Sequence, residues 1–214
     1  MAQSIRPLGD YLDLLEQRGL LVSRPAGLDL TAPVALVSYD SRQVVPGTLF
    51  VCKGAHFKAE FLQMARDKGA MAYVSLEPYP QVDLPCIRVT DMRETIAPLA
   101  DLYYGHPSGD LNVIGITGTK GKSSTAYYLK YILDEYLAGK GRPASGVISS
   151  IDTYDGVERF ESHITTPDAV DLQRHFANAA ANGIDYLTME VSSQALKYHR
   201  SLCADFAAAC FLNI

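Results

Sequence analysis

The chain has 214 residues, 48% of them hydrophobic and 20% charged, with a formal net charge of −5 and a pI near 5.5. Such a composition excludes a disordered chain, and the acidic balance excludes the broad basic field that holds a nucleic-acid backbone or an anionic membrane. Phosphate recognition must then be local, which points to a small phosphorylated ligand and not to nucleic acid.

The length admits one large domain or two small ones, and two are expected. Cys52, Cys86, Cys203 and Cys210 are scattered through mostly apolar stretches without a Cys-x-x-Cys pair, so they read as buried free thiols of a reducing compartment. The start, Met1 to Pro7, lacks the apolar core of a signal peptide, and no apolar run reaches roughly 18 residues. A soluble, cytoplasmic chain without membrane insertion is expected, and a monomer.

Leu8, Tyr11, Leu12, Leu15 and Leu20 recur near helical spacing, which predicts a helix over 8–21 with Gly19 near its end. Strand-like residues from Pro33 to Ser38, the turn Pro46-Gly47 and the apolar run Leu49 to Cys52 follow. A helix from about Ala59 to Lys68, capped by Gly69, leads to a strand at Met71–Val74, giving a β-α-β rhythm. After the strand Cys86–Val89, Asp91 and Glu94 stand at capping-box spacing before a helix to Tyr104, stopped by Gly105 and Pro107. The breaker-rich segment 105–110 marks a boundary between domains at 1–108 and 109–214.

The second domain opens on a strand, Val113–Thr117, then a glycine loop, a helix over 123–137 and a strand near Val147-Ile148. That order predicts an α/β nucleotide-binding domain with a mostly parallel sheet. Thr165-Thr-Pro-Asp168 is expected to open a helix with Pro167 in its first turn, and Gly183 to close it. The strand Tyr186–Met189 ends on Glu190, and Phe206 to Ile214 reads as another buried strand. Tyr127, Tyr128 and Tyr131 on the helix after the loop are expected to pack.

Chemistry concentrates in Gly115-Ile-Thr-Gly-Thr-Lys-Gly-Lys-Ser123. Glycines let the backbone turn its N–H groups toward phosphate oxygens, and the following helix presents the positive end of its dipole. Lys122 would reach the outer phosphates and Ser123 would bind Mg²⁺, so Gly118, Thr119, Lys120, Gly121, Lys122, Ser123 and Ser124 form the expected ATP cradle. The generic phosphate-loop spacing fails by one residue, because Ile116 stands where its first glycine belongs.

The form Gly-x-x-Gly-Thr-x-Gly-Lys-Ser resembles the loop of the Mur ligases, ATP-dependent enzymes of peptidoglycan precursor synthesis. Asp40-Ser-Arg42, Val45-Pro-Gly-Thr-Leu-Phe50, Gly69-Ala70, Thr165-Thr-Pro167 and Glu190 to Arg200 resemble its tripeptide synthetase branch, the MurE type. The resemblance implies a small N-terminal α/β domain that binds the UDP end of the substrate, followed by the central ATPase domain. It implies that Ser41 contacts the uridine nucleotide, with the segment near His56 close by. Thr165, Thr166, Ser192 and Arg200 would hold UDP-N-acetylmuramoyl-dipeptide, with hydroxyls and a guanidinium suited to its pyrophosphate and carboxylates. Glu190 would join Ser123 as a Mg²⁺ ligand and act with Lys122 in catalysis. ATP, Mg²⁺, the UDP-dipeptide and an incoming amino acid are thus the implied cofactors and partners, and the reaction passes through an acyl phosphate.

The chain departs from the family pattern at Lys120, often Asn, at Gln194, often His, and in a short segment Gly54 to Lys58. His163, His175 and His199 lack metal-ligand spacing, and His199 is expected to orient Arg200. The remaining ligase parts would lie beyond Ile214, so the chain is expected to be the first part of a longer enzyme, inactive alone. Rival readings are another ligase of the same fold, of the folylpolyglutamate or cyanophycin type, and a noncatalytic nucleotide- or UDP-sugar-binding module.

Overall fold

A computed structural model describes residues 5–54 and 57–214; the segment near His56 and the first residues, on which two expectations rest, lie outside the described residues. The chain divides into two compact units, one up to Tyr103 and one from Tyr104 to Ile214. No helix of the described residues is long and apolar enough to cross a membrane.

In the first unit, α1 (Leu8–Gln17) buries Leu8, Tyr11, Leu12 and Leu15 on one face. It is shorter than its periodicity predicts. Gly19, at φ 67°, takes the left-handed conformation, its N–H donating to Glu16 O (2.9 Å) and that of Leu20 to Leu15 O (2.9 Å). This paired bonding closes the helix, and Leu21, expected at its end, instead opens β1 (Leu21–Ser23). The unit continues with β2 (Leu36–Ser38), β3 (Thr48–Val51), α2 (Ala59–Asp67), β4 (Ala70–Ser75), β5 (Cys86–Val89) and α3 (Met92–Tyr104). Its sheet runs β1-β5-β4-β3-β2, all parallel except β1. Phe50, Leu62, Ala65 and Tyr73 form a core on one side of it.

The second unit contains β6 (Asn112–Thr117), α4 (Lys122–Ala138), β7 (Gly146–Ile148), β8 (Asp152–Tyr154), β9 (Arg159–Glu161), α5 (Ala169–Ala181), β10 (Tyr186–Glu190), α6 (Ser193–Lys197) and β11 (Phe206–Phe211). The sheet order is β11-β6-β10-β7-β8-β9. The four strands β11, β6, β10 and β7 are parallel, and β8 and β9 extend the sheet antiparallel. Val113, Ile148, Leu172, Phe176, Leu187 and Met189 fill the core between sheet and α5. Gly115 sits where an added Cβ would lie 2.7 Å from the Phe206 ring, so a side chain there would have to displace that ring.

The structure departs from four of these expectations. Pro167 precedes the N-cap Asp168 and is outside the first turn of α5; the residue before the helix is extended, a conformation proline favours equally. β11 is an edge strand whose residues Ala207–Phe211 are exposed, because an apolar run records what a strand can bury and not what covers it. On α4 the buried residues are Ala126, Lys130 and Leu137, whereas Tyr128 and Tyr131 are 72% and 63% exposed. Tyr127 is half-buried and its hydroxyl donates to Asp152 Oδ1. Finally, Cys210 is exposed on β11 and Cys86 and Cys203 are half-buried, so only Cys52 is buried as expected.

Candidate nucleotide and substrate site

β6 delivers the chain into the glycine loop and α4 carries it away. Gly118 has φ 142° and Gly121 has φ 84°, both in the left-handed range, and Gly121 is the N-cap of α4. The first N–H groups of α4 therefore lie at the mouth of the loop without intrahelical acceptors, and their partial positive charge suits an anion. The Lys122 amine folds back over the loop, donating to Gly118 O at 2.7 Å and Thr119 O at 3.4 Å.

The loop is held from one side by the end of β11. Thr119 N–H donates to Asn213 O (3.3 Å) and Lys120 N–H to Asn213 Oδ1 (3.1 Å). The Asn213 side-chain amide returns a bond to Lys120 O (3.1 Å). The backbone donors of Thr119 and Lys120 are thus engaged by the protein, and the helix start at Gly121 to Ser124 carries the open donors.

Glu190 lies at the carboxyl end of β10, beside β6, and is 1% exposed. Its Oε1 accepts from Ser150 N–H (2.9 Å) and Ser150 Oγ (3.1 Å). Ser123 Oγ, in the first turn of α4, is 3.0 Å from Ser150 Oγ. The structure therefore brings Ser123 and Glu190 to either side of one serine hydroxyl.

The predicted substrate residues of this unit cluster on the other side of Glu190. Thr166, fully buried, donates its hydroxyl to Glu190 O (2.9 Å) and accepts Ser192 N–H (3.1 Å). Ser192 Oγ caps α6 by accepting Ala195 N–H (3.1 Å). Arg200 Nη1 donates to Thr166 O (3.0 Å) and its Nε pairs with Asp168 Oδ1 (3.0 Å). Thr165 is half-buried immediately before Thr166. Arg200 is oriented by Asp168 and Thr166, while His199 is placed by its own backbone bond to Leu196 O, at φ 55°; the expected His199 role is not what the contacts show.

Ser41 belongs to the first unit and is 6% exposed. It lies between Asp40 and Arg42, whose side chains form a two-point pair (2.9 Å and 2.7 Å). The Arg42 hydrogen bond, with help from its charge, holds the Asp40 carboxyl below its ordinary range despite some burial.

A second titratable group was not expected from spacing. Asp155 and His175, both almost fully buried, are joined at 2.6 Å, with Glu158 Oε2 at 4.0 Å from the same imidazole nitrogen. Asp155 also accepts from Val157 N–H, Glu158 N–H and the Asn178 amide, and Glu158 pairs with Arg174. These oxygens are satisfied by protein donors, so the group braces β8 and β9 against α5.

Sequence reasoning missed Ser150, Asp168 and Asn213 as parts of the site. A usable signal existed for Ser150 and Asn213, because each follows the carboxyl end of a parallel strand, where ligand-binding residues gather in open α/β sheets.

A parallel strand, a glycine loop, a helix and a buried carboxylate on the neighbouring strand define a phosphate-loop α/β domain. Residues 116–214 match the Mur ligase middle domain. Among curated relatives, it is 42% identical over 212 residues to the UDP-N-acetylmuramoyl-L-alanyl-D-glutamate--L-lysine ligase of Enterococcus faecalis, covering 94% of this chain and 41% of that protein. It is 38% identical over 205 residues to the UDP-N-acetylmuramyl-tripeptide synthetase of Lactobacillus delbrueckii, covering 94% of this chain and 39% of that protein. The chain thus spans about two fifths of the length of these relatives. Among solved structures, a UDP-N-acetylmuramoyl-L-alanyl-D-glutamate--2,6-diaminopimelate ligase shares the fold with a TM-score of 0.71 at 19% identity, over 97% of this chain and 40% of that one. The MurF ligase of Thermotoga maritima in complex with ADP gives 0.53 at 24% identity, over 85% of this chain and 38% of that one.

Proposed function

We propose that the chain carries the ATP site and much of the dipeptide-substrate site of a ligase that adds the third amino acid to UDP-N-acetylmuramoyl-L-alanyl-D-glutamate. The observation that carries this reading is the placing of Ser123 and Glu190 on one hydroxyl at the mouth of the glycine loop, with Thr166, Ser192 and Arg200 bonded onto the same strand end. ATP phosphates would meet the N-terminus of α4 and the Lys122 charge. The acceptor carboxylate would be positioned by Arg200 and the hydroxyls, so that phosphoryl transfer is promoted by alignment and charge neutralisation.

The residues present fit Mg²⁺. A hydroxyl oxygen and a buried carboxylate are the hard oxygen donors that this ion takes, and the carboxylate has only neutral hydrogen-bond donors among the described residues. When bound, the ion would supply charge neutralisation at the phosphates. In the first unit, Ser41 is the proposed contact to the UDP end of the substrate. The boundary between the two functional domains is proposed at residue 108.

Calorimetric titration of the chain with Mg·ATP and, separately, with UDP-N-acetylmuramoyl-dipeptide tests the reading. Saturable binding of both is expected. Binding of neither would sink it.

A further inference from the structure

We infer that Ser150 is the positioning residue of the cation site, an assignment that rests on the nucleotide reading above and specifies how its two oxygen donors are held. The proton count decides the direction of each bond. Ser150 has one hydroxyl hydrogen, and Glu190 Oε1, a carboxylate acceptor, receives it at 3.1 Å. The 3.0 Å contact between the two serines must then be donated by Ser123. The chain of bonds runs Ser123 O–H to Ser150 O–H to Glu190 Oε1.

That direction turns the Ser123 proton toward Ser150 and leaves lone pairs of Ser123 Oγ uncommitted. Both hydrogen bonds to the Glu190 carboxylate, from Ser150 N–H and Oγ, fall on Oε1, so Oε2 accepts none among the described residues. Glu190 is 1% exposed and has no ion-pair partner among them. One serine therefore aims two hard-oxygen donors and keeps their remaining lone pairs open, which is a preformed half-shell for a divalent ion.

Ser150 is itself fixed. Ser149, fully buried, accepts Ile151 N–H (3.0 Å) and Asp152 N–H (3.1 Å) and donates to Asp152 O (2.9 Å). The turn from β7 to β8 is tied by these bonds, so the backbone N–H of Ser150 cannot leave Glu190 without breaking them.

The test measures ATP affinity by calorimetry with and without Mg²⁺, and Mn²⁺ affinity by electron paramagnetic resonance beside a non-hydrolysable ATP analogue, for the wild-type chain, S150A and S150T. Wild type and S150T are expected to gain ATP affinity with Mg²⁺ alike. S150A is expected to bind metal-free ATP as wild type does, but to bind Mn²⁺ about 10- to 100-fold more weakly, the usual loss when a residue supporting a metal ligand is removed. A Mn²⁺ affinity unchanged within about twofold in S150A overturns the assignment while leaving the nucleotide reading intact, and so does an S150T that falls with S150A. Absence of ATP binding in the wild type overturns the nucleotide reading and this inference with it. A fold lost in S150A would show as a lost metal-free ATP affinity; S150T then decides, since only a positioning role predicts its full Mn²⁺ affinity.

Discussion

Asn213 grips Lys120 from both sides: its Oδ1 accepts the Lys120 N–H and its Nδ2 donates to the Lys120 carbonyl, each at 3.1 Å. The segment after β11 thereby sets the shape of the glycine loop across most of the unit's sequence. Replacing the side chain leaves the backbone bond from Thr119 N–H to Asn213 O but removes this two-point clamp. Asn213→Ala is expected to weaken ATP binding about 5- to 20-fold, the effect of about two lost hydrogen bonds of ordinary worth. Asn213→Asp should recover only the half that accepts from Lys120 N–H. Equal ATP affinity of wild type and Asn213→Ala in a calorimetric titration would refute the clamp.

Lys122 makes its bonds to loop carbonyls and to no acidic side chain among the described residues. Its removal should cost little stability and much nucleotide affinity. Lys122→Ala is expected to lower ATP affinity at least about tenfold, as loss of a charge-assisted contact does, with a melting temperature close to that of the wild type. A large fall in melting temperature with unchanged affinity would mean that the lysine staples the loop and does not serve the ligand.

Gly118 tests the loop's backbone directly. At φ 142° a side chain is strained, and an added Cβ would stand 3.1 Å from Leu212 Cβ and 3.2 Å from Asn213 N. Gly118→Ala should cost about 1–3 kcal/mol and abolish ATP binding. Gly109→Ala is the control, since nothing lies within 4 Å of the added carbon and φ is not positive. Comparable thermal unfolding of the two variants would show that the loop accommodates the change.

Much of this was legible in the sequence, for identifiable physical reasons. The strand, loop and helix from Val113 onward were readable because glycines, Gly-Lys-Ser and periodicity all act locally. Glu190 was readable as a strand-end carboxylate, and Arg200 through the motif that surrounds it. The partners of these residues were not. Ser150 reaches Glu190 across 40 positions and Asn213 reaches Lys120 across 93, and no local rule links such pairs. β8 and β9 were missed because Asp152–Tyr154 and Arg159–Glu161 are short and mostly polar, without the apolar run that marked the equally short β2 and β7. The exposure of β11, Tyr128 and Tyr131 was missed for the opposite reason, because apolar character was read as proof of cover.

The Asp155–His175 pair yields a prediction about acid stability. Burial alone would raise the Asp155 carboxyl, but hydrogen bonds from His175, from Glu158 and Val157 N–H and from Asn178 outweigh it and bring the pKa down to about 2. The folded value lies below the ordinary 3.8, so folding favours the ionised form. The stabilisation is therefore complete above about pH 4 and is lost as the pH falls toward about 2. This lowering from 3.8 to about 2 corresponds to about 2 kcal/mol. Asp155→Asn is expected to be less stable than the wild type by about that amount at pH 6 in urea denaturation. The deficit should shrink as the pH is lowered, because protonation removes from the wild type what the substitution has already removed from the variant. A deficit that stays constant from pH 6 to pH 2.5 would show that the loss comes from packing around His175 and not from the charge that Asp155 carries.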